Sequence, residues 1–292
     1  MKRITVPLAM TFLATACASP PPPSAPAATP PPGVSVSLAQ WRSDEPVHEL
    51  QVAVRNTGDT SVYFADLQLV SASFTTLPPQ RADAAIGRTE RTDLPIKYGP
   101  AKCSPQGLPQ VRPATVVAHV RTGSEALREV VFSVPHPDPL LARLLRDECS
   151  EFLVKQAASI EFGPEWTETD AEFGSGAGDG ASRVMRGDLV VTRRGTGAVT
   201  LNDVGGTTHY IVTPESRPLG TLAAGARRLE VPVELSPGRC DPHAFAEAKK
   251  AFLFPVRATV DGGEERVVIV TPPKPLQDRL IAYALRACGL PG

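Results

Sequence analysis

The chain is poor in aromatic residues, at 5% of its 292, and has only two tryptophans, so each large ring is a landmark. Neither sign of charge dominates. With 30 Lys and Arg against 31 Asp and Glu, the formal net charge is −1. That leaves no basic field for nucleic acid, and none is expected as a partner. No apolar run approaches the roughly 20 residues of a bilayer-spanning helix. Also missing are GxSxG, SxxK, HExxH and CxxC, the short patterns that carry hydrolase, zinc or dithiol chemistry. No catalytic residue and no cofactor are therefore predicted. His48, His119, His136 and His209 are scattered along the chain.

What is present begins at the N-terminus. MKRITVPLAMTFLATAC has two basic residues, a short apolar run from Ile4 to Ala16, and small residues directly before Cys17. This pattern predicts a cleaved export signal over residues 1–16. Ala14, Thr15 and Ala16 before Cys17 resemble the lipobox of bacterial lipoproteins, which implies that Cys17 becomes an acylated N-terminus holding the protein to the membrane. From Ala18 to Pro32 the sequence ASPPPPSAPAATPPP favours extended polyproline II and supplies no core. Residues 17–33 are thus expected to form a lipidated tether. At roughly 3.1 Å per residue it would reach about 50 Å.

Beyond the tether the chain repeats itself. RTDLPIKYGPAKCSP (Arg91 to Pro105) returns as RLEVPVELSPGRCDP (Arg228 to Pro242), and in each copy three apolar residues alternate: Leu94, Ile96 and Tyr98, then Val231, Val233 and Leu235. Period-2 alternation predicts a half-buried strand, and Pro95 and Pro232 suggest that it lies at a sheet edge. PDPLLARLLRDEC (Pro137 to Cys149) mirrors PKPLQDRLIAYALRAC (Pro273 to Cys288), so each copy ends in a short cysteine-bearing helix. From Gly58 to Cys103 is 45 residues and from Gly197 to Cys240 is 43, which places both copies in one frame. From Trp41 to Gly58 is 17 residues, but from Trp166 to Gly197 is 31. The excess locates an insertion in copy two, the glycine-rich run from Phe173 to Ser182. The matching tryptophans are expected to be core residues.

Short β-branched segments separated by Gly, Pro and Ser turns predict six or seven strands in copy one and a similar set in copy two. The expected fold is mainly β, with two tandem immunoglobulin-like β-sandwich domains at residues 34–152 and 153–292, each closed by a C-terminal helix. Asp261 to Gly263 is a hairpin turn signal. DPHAFAEAKKAFL predicts one or two helical turns capped by Asp241, which copy one lacks.

With Cys17 assigned to the anchor, four cysteines remain, and an oxidising compartment would pair them. Four cysteines allow three connectivities. The repeat favours Cys103 with Cys149 and Cys240 with Cys288, so that each copy closes on itself. Asp241, His243 and Glu247 are weak candidates for a metal site, because His and Glu four apart share a helical face. A cap and a solvated pair explain them as well. The GSGAGDG run does not lead from a strand into a helix, so it reads as an insertion and not as a phosphate loop.

The CDPHAFAEAK stretch and its following hairpin resemble secreted or membrane proteins of actinobacteria that carry no assigned activity. The excess of arginine over lysine, 23 to 7, fits a high-GC Gram-positive bacterium. The expectation is an extracytoplasmic, lipid-anchored protein. Its first functional reading is a non-enzymatic binding or scaffolding module with an envelope protein or cell-wall partner, which is fold-level analogy. The others are a small-ligand or metal-binding lipoprotein and an envelope enzyme without a recognisable motif.

Overall fold

A computed structural model of the protein describes residues 28–173 and 183–291. The predicted signal, Cys17, most of the tether and the centre of the glycine-rich insertion lie outside the described residues.

Copy one contains β1 (Val34–Ala39), β2 (Glu49–Asn56), β3 (Val62–Ser71), β4 (Gln80–Ile86), β5 (Thr89–Lys97), β6 (Ala114–Thr122), β7 (Arg128–Ser133) and then α1 (Pro139–Ala157). They form two antiparallel sheets, β1-β2-β5 and β4-β3-β6-β7. Alternate residues from both sheets, Leu50, Val52, Leu94 and Ile96 from one and Phe64, Leu67, Val116 and Phe132 from the other, fill a common core. This is the expected sandwich.

Copy two follows with β8 (Ala158–Asp170), β9 (Arg183–Arg193), β10 (Val199–Val204), β11 (Tyr210–Pro214), β12 (Gly220–Leu222), β13 (Arg228–Pro237), α2 (Pro242–Glu247), β14 (Phe254–Val260), β15 (Arg266–Val270) and α3 (Lys274–Ala287). The sheets are β11-β13-β9-β8 and β12-β10-β14-β15. They enclose a second core with Leu189, Leu201, Val233, Phe254 and Val256 at its centre. Asp261 and Gly262, with φ of 51° and 67°, make the turn between β14 and β15. The Asp241 side chain caps α2 by accepting from the His243 N–H.

The repeated strand behaves as its alternation requires. Leu94, Ile96, Tyr98, Val231, Val233 and Leu235 are all buried. Pro95 lies on β5, an edge strand. β13 is interior, yet β11 pairs with it only from Val233 to Pro237, so Pro232 faces no partner on that side. Among the described residues, both bridges are formed, Cys103–Cys149 and Cys240–Cys288, with Cα atoms 5.1 and 5.0 Å apart.

Three features differ from the sequence reading. Helix α1 does not end with its cysteine, Cys149, but runs to Ala157 and passes into β8 without a linker residue, so the expected boundary after residue 152 falls inside it. Trp41 is 52% exposed under the Arg91 guanidinium, whereas Trp166 is 2% exposed. The cause is strand length: β1 ends at Ala39, while β8 carries Trp166 over Gly187, where an added Cβ would fall 2.4 Å from the ring. Finally, residues 28–33 of the expected tether lie on the sandwich. β7 is an edge strand, and Ala28 donates to Glu129 O while Arg128 donates to Thr29 O. A free sheet edge offers such unpaired groups.

Candidate functional site

Where the two copies meet, a groove opens. One hollow of about 620 Å³ is lined by Glu45, His48 and Tyr98 of copy one, by Arg143, Asp147, Glu148 and Glu151 of α1, and by Glu264 to Val267 and Ile269 of copy two. A second of about 610 Å³ shares Glu45, His48, Glu151 and Ile269 with it and continues past Thr208 and Lys250.

The turn before β2 builds one wall. Asp44, itself buried, accepts from the Trp41 N–H at 2.8 Å and from Gln51 Nε2 at 3.0 Å, which fixes the turn. The chain then passes through His48 at φ 53°, left-handed backbone that non-glycine residues adopt only when their surroundings hold them there. His48 O accepts from the Tyr98 N–H, and the two rings stack with centroids 5.0 Å apart. Burial, then the nearby Glu148 carboxylate, pushes the Tyr98 hydroxyl up to about 12.

Glu148 comes from α1. One carboxylate oxygen accepts from the Ala101 N–H at 2.8 Å; the other, Oε1, is buried and has no partner. Burial raises its pKa above the ordinary carboxylate value, opposed by the Ala101 N–H and by His48. A buried acceptor left unmade costs about 1–3 kcal/mol. The opposite wall is β15, whose Val267 and Ile269 are exposed on its outer face. Glu45 and Lys250 form an ion pair across the junction.

Sequence reasoning missed His48, Tyr98 and Glu148 as a group, for they come from three separate elements. One signal was available. Copy two has Leu235 where copy one has Tyr98, and Ala287 before its cysteine where copy one has Glu148. The polar pair is a departure from the repeat, and it faces the junction.

The other candidates stand apart. Asp241 is occupied as a cap, and His243 Nε2 lies 3.4 Å from Glu247 with both side chains mostly exposed. Among the described residues no cluster of three His, Cys, Asp or Glu is placed to hold a metal. His119 Nδ1 meets Asp66 at 2.9 Å on the outer face of copy one. His209 is buried beneath Phe245, and its Nε2–H donates to Ala244 O.

No protein-family model and no curated protein matches the chain. Among solved structures it is similar to red sea bream transglutaminase, with 11% identity over 83% of this chain and 31% of that one, and a TM-score of 0.24. It is also similar to the Amycolatopsis orientalis exo-chitosanase CsxA, with 11% identity over 75% of this chain and 25% of that one, at 0.20. For a glycosyl hydrolase family 2 member from Bacteroides cellulosilyticus the figures are 10%, 77%, 23% and 0.16. The chain spans less than a third of the length of each, and likeness at this level says nothing of activity.

Proposed function

We propose that this is an extracytoplasmic, lipid-anchored binding protein, non-enzymatic, whose ligand site is the groove between the two sandwiches. One observation carries the reading: Tyr98 and Glu148, at the groove, are polar where the other copy of the repeat has Leu235 and Ala287. The ligand it fits is a small polar molecule with an ammonium or amide donor for Glu148 and a flat or aliphatic part for His48 and Ile269. Concave sites with a few convergent polar groups are the usual form of such pockets. The two disulfides support an oxidising compartment.

Thermal-shift and NMR titration against a defined set of amines, amino acids and short peptides test the site. Hits should weaken at least tenfold in Glu148→Ala and His48→Ala. Hits that ignore both substitutions would place the ligand elsewhere. Mass spectrometry of the membrane form tests the anchor, with a diacyl or triacyl Cys17 expected and release to the medium in Cys17→Ser.

A second reading, an envelope hydrolase, is favoured by the approach of His48 to a carboxyl group held above its ordinary pKa. It predicts turnover of a chromogenic ester, amide or glycoside that disappears in Glu148→Gln.

A further inference from the structure

The groove runs along one strand. Its hollow of about 620 Å³ takes in Arg266, Val267 and Ile269, and a further hollow of about 510 Å³ takes in Ile269, Val270 and Thr271. The two share Ile269 and Glu151, so together they follow β15 from Arg266 to Thr271, roughly 17 Å of extended chain. β15 is the last strand of its sheet. On its neighbour β14, Pro255 O accepts from the N–H of Gly205, the residue after β10, at 2.8 Å. Main-chain groups alternate in direction along an antiparallel strand, so Phe254, Val256 and Ala258 are the residues turned to β15, opposite Val270, Val268 and Arg266. The N–H and C=O groups of Val267 and Ile269 therefore point to the free edge, where among the described residues no other backbone group meets them. Other edges are blunted: β5 carries Pro95, a register shift breaks the pairing of β4 with β3, and Ala28 covers part of β7. β15 has no proline and pairs with β14 without a shift. An edge left in that state is a template for another strand.

We propose that the groove binds a short peptide in extended form, which adds to β15 as a fifth strand of its sheet and places a basic side chain at Glu148. This ligand class rests on the groove reading and narrows it. Pairing with Val267 and Ile269 supplies main-chain hydrogen bonds whatever the peptide's sequence, and pockets for its alternate side chains then select it. Residues opposite Val267 and Ile269 share their face of the sheet. That face opens on the hollow lined by Tyr98 and Glu148, while Val268 and Val270 point into the core. One charge there is unmatched. Glu45, Asp147, Glu151, Glu264 and Glu265 each have a basic partner, so those charges cancel. Glu148 has no such partner among the described residues, and its Oε1 is buried and unpaired. The selected side chain is therefore a cation. The residue two along, on the same face, is aliphatic and covers Ile269.

The test uses the full chain and the fluorescently labelled heptapeptide Thr-Val-Thr-Lys-Thr-Val-Thr, whose symmetry presents Lys and Val two apart in either strand direction. Expected are binding at least tenfold tighter than that of lysine amide, at least tenfold loss when the peptide's Lys is replaced by Glu, and a similar loss in Glu148→Gln. N-methylation of the peptide's Lys and Val nitrogens, which face the edge, should abolish binding, and N-methylation of its two inner Thr nitrogens should not. Val267→Pro removes an edge donor but no ladder bond. It should keep its circular dichroism and weaken the peptide at least tenfold; if it does not fold, the two N-methylated peptides decide alone. Lysine amide bound through Glu148, with no gain for the heptapeptide, would leave the groove reading standing and overturn the peptide proposal. If no amine, amino acid or peptide binds the groove, both fall. Equal effects of the two N-methylations, or peptide binding indifferent to Glu148→Gln, would also overturn the proposal. So would a dimer of the chain that Val267→Pro dissolves, because the edge would then belong to a second copy.

Discussion

Cys149 and Val154 stand five residues apart on one helix and belong to different cores. Cys149 is fully buried with Leu141, Leu144 and Leu145 in the first sandwich, and Val154 is fully buried with Ile160 and Val268 in the second. About 7.5 Å of helix axis separates them. The groove geometry therefore depends on α1 remaining straight between them. Glu151→Gly with Phe152→Gly should cost about 1 kcal/mol per glycine and let the sandwiches swing. Small-angle scattering should show a larger radius of gyration, and calorimetry two transitions. A single transition with unchanged scattering would mean that something other than α1 couples the cores.

The bridges should differ in how badly their loss is tolerated. Loops of 46 and 48 residues predict nearly the same stabilisation, about 4 kcal/mol in the loop-entropy account. Their surroundings are unlike. Cys149 is fully buried, whereas Cys288 is partly exposed. A serine at Cys149 would bury a hydroxyl without a partner. Cys103→Ser/Cys149→Ser should lower Tm more than Cys240→Ser/Cys288→Ser, as read by circular dichroism; the reverse order would show that burial does not decide it.

The legible parts of this fold were those where side chains alternate or recur. Leu94, Ile96 and Tyr98 announce a strand by period, and their return as Val231, Val233 and Leu235 announces a second domain. β4 was illegible because QRADAAI, partly exposed along most of its length, offers only alanines and one isoleucine to the core. β12, three residues long, has no pattern to detect. The placement of Trp41 misled because repeated position does not ensure repeated burial. The groove was hidden for a deeper reason: His48, Tyr98 and Glu148 meet only through tertiary packing, and no local rule links them.

Glu148 should be a stability cost at neutral pH. A carboxyl whose folded pKa is raised contributes stability that is complete below the unfolded value, about 4.3, and is lost as pH rises through the folded value. Glu148→Gln can still accept from the Ala101 N–H but carries no charge to bury. Its Tm at pH 7 should exceed the parent's by roughly 1–2 °C, the response of a chain this size to a few tenths of a kcal/mol. The difference should vanish near pH 4. A variant less stable at pH 7, or a difference that persists into acid, would contradict the assignment. Groups kept at such a cost are commonly functional ones.

His209 gives the opposite pH dependence, in copy two. Its Nε2–H donates to Ala244 O, so the neutral ring has an unpartnered Nδ1 in a buried place, and burial lowers its pKa. Protonation would bury a second donor with no acceptor. For a histidine whose folded pKa is depressed, stability is complete above the unfolded value of about 6.5 and is lost as pH falls through the folded value. The loss should be local first, since His209 holds α2 through Ala244 and through the Phe245 ring stacked on it at 4.4 Å. Hydrogen exchange at the Ala248 amide, which donates to Ala244 O at the C-terminal end of α2, should therefore accelerate between pH 7 and 5 after correction for intrinsic rates. His209→Gln keeps a donor for Ala244 O but has no basic ring. It should exchange faster than the parent at pH 7, because the stacking on Phe245 is gone, and show a flat profile down to pH 5. If the variant retains the parent's acid-induced acceleration, the proton that loosens α2 is bound elsewhere.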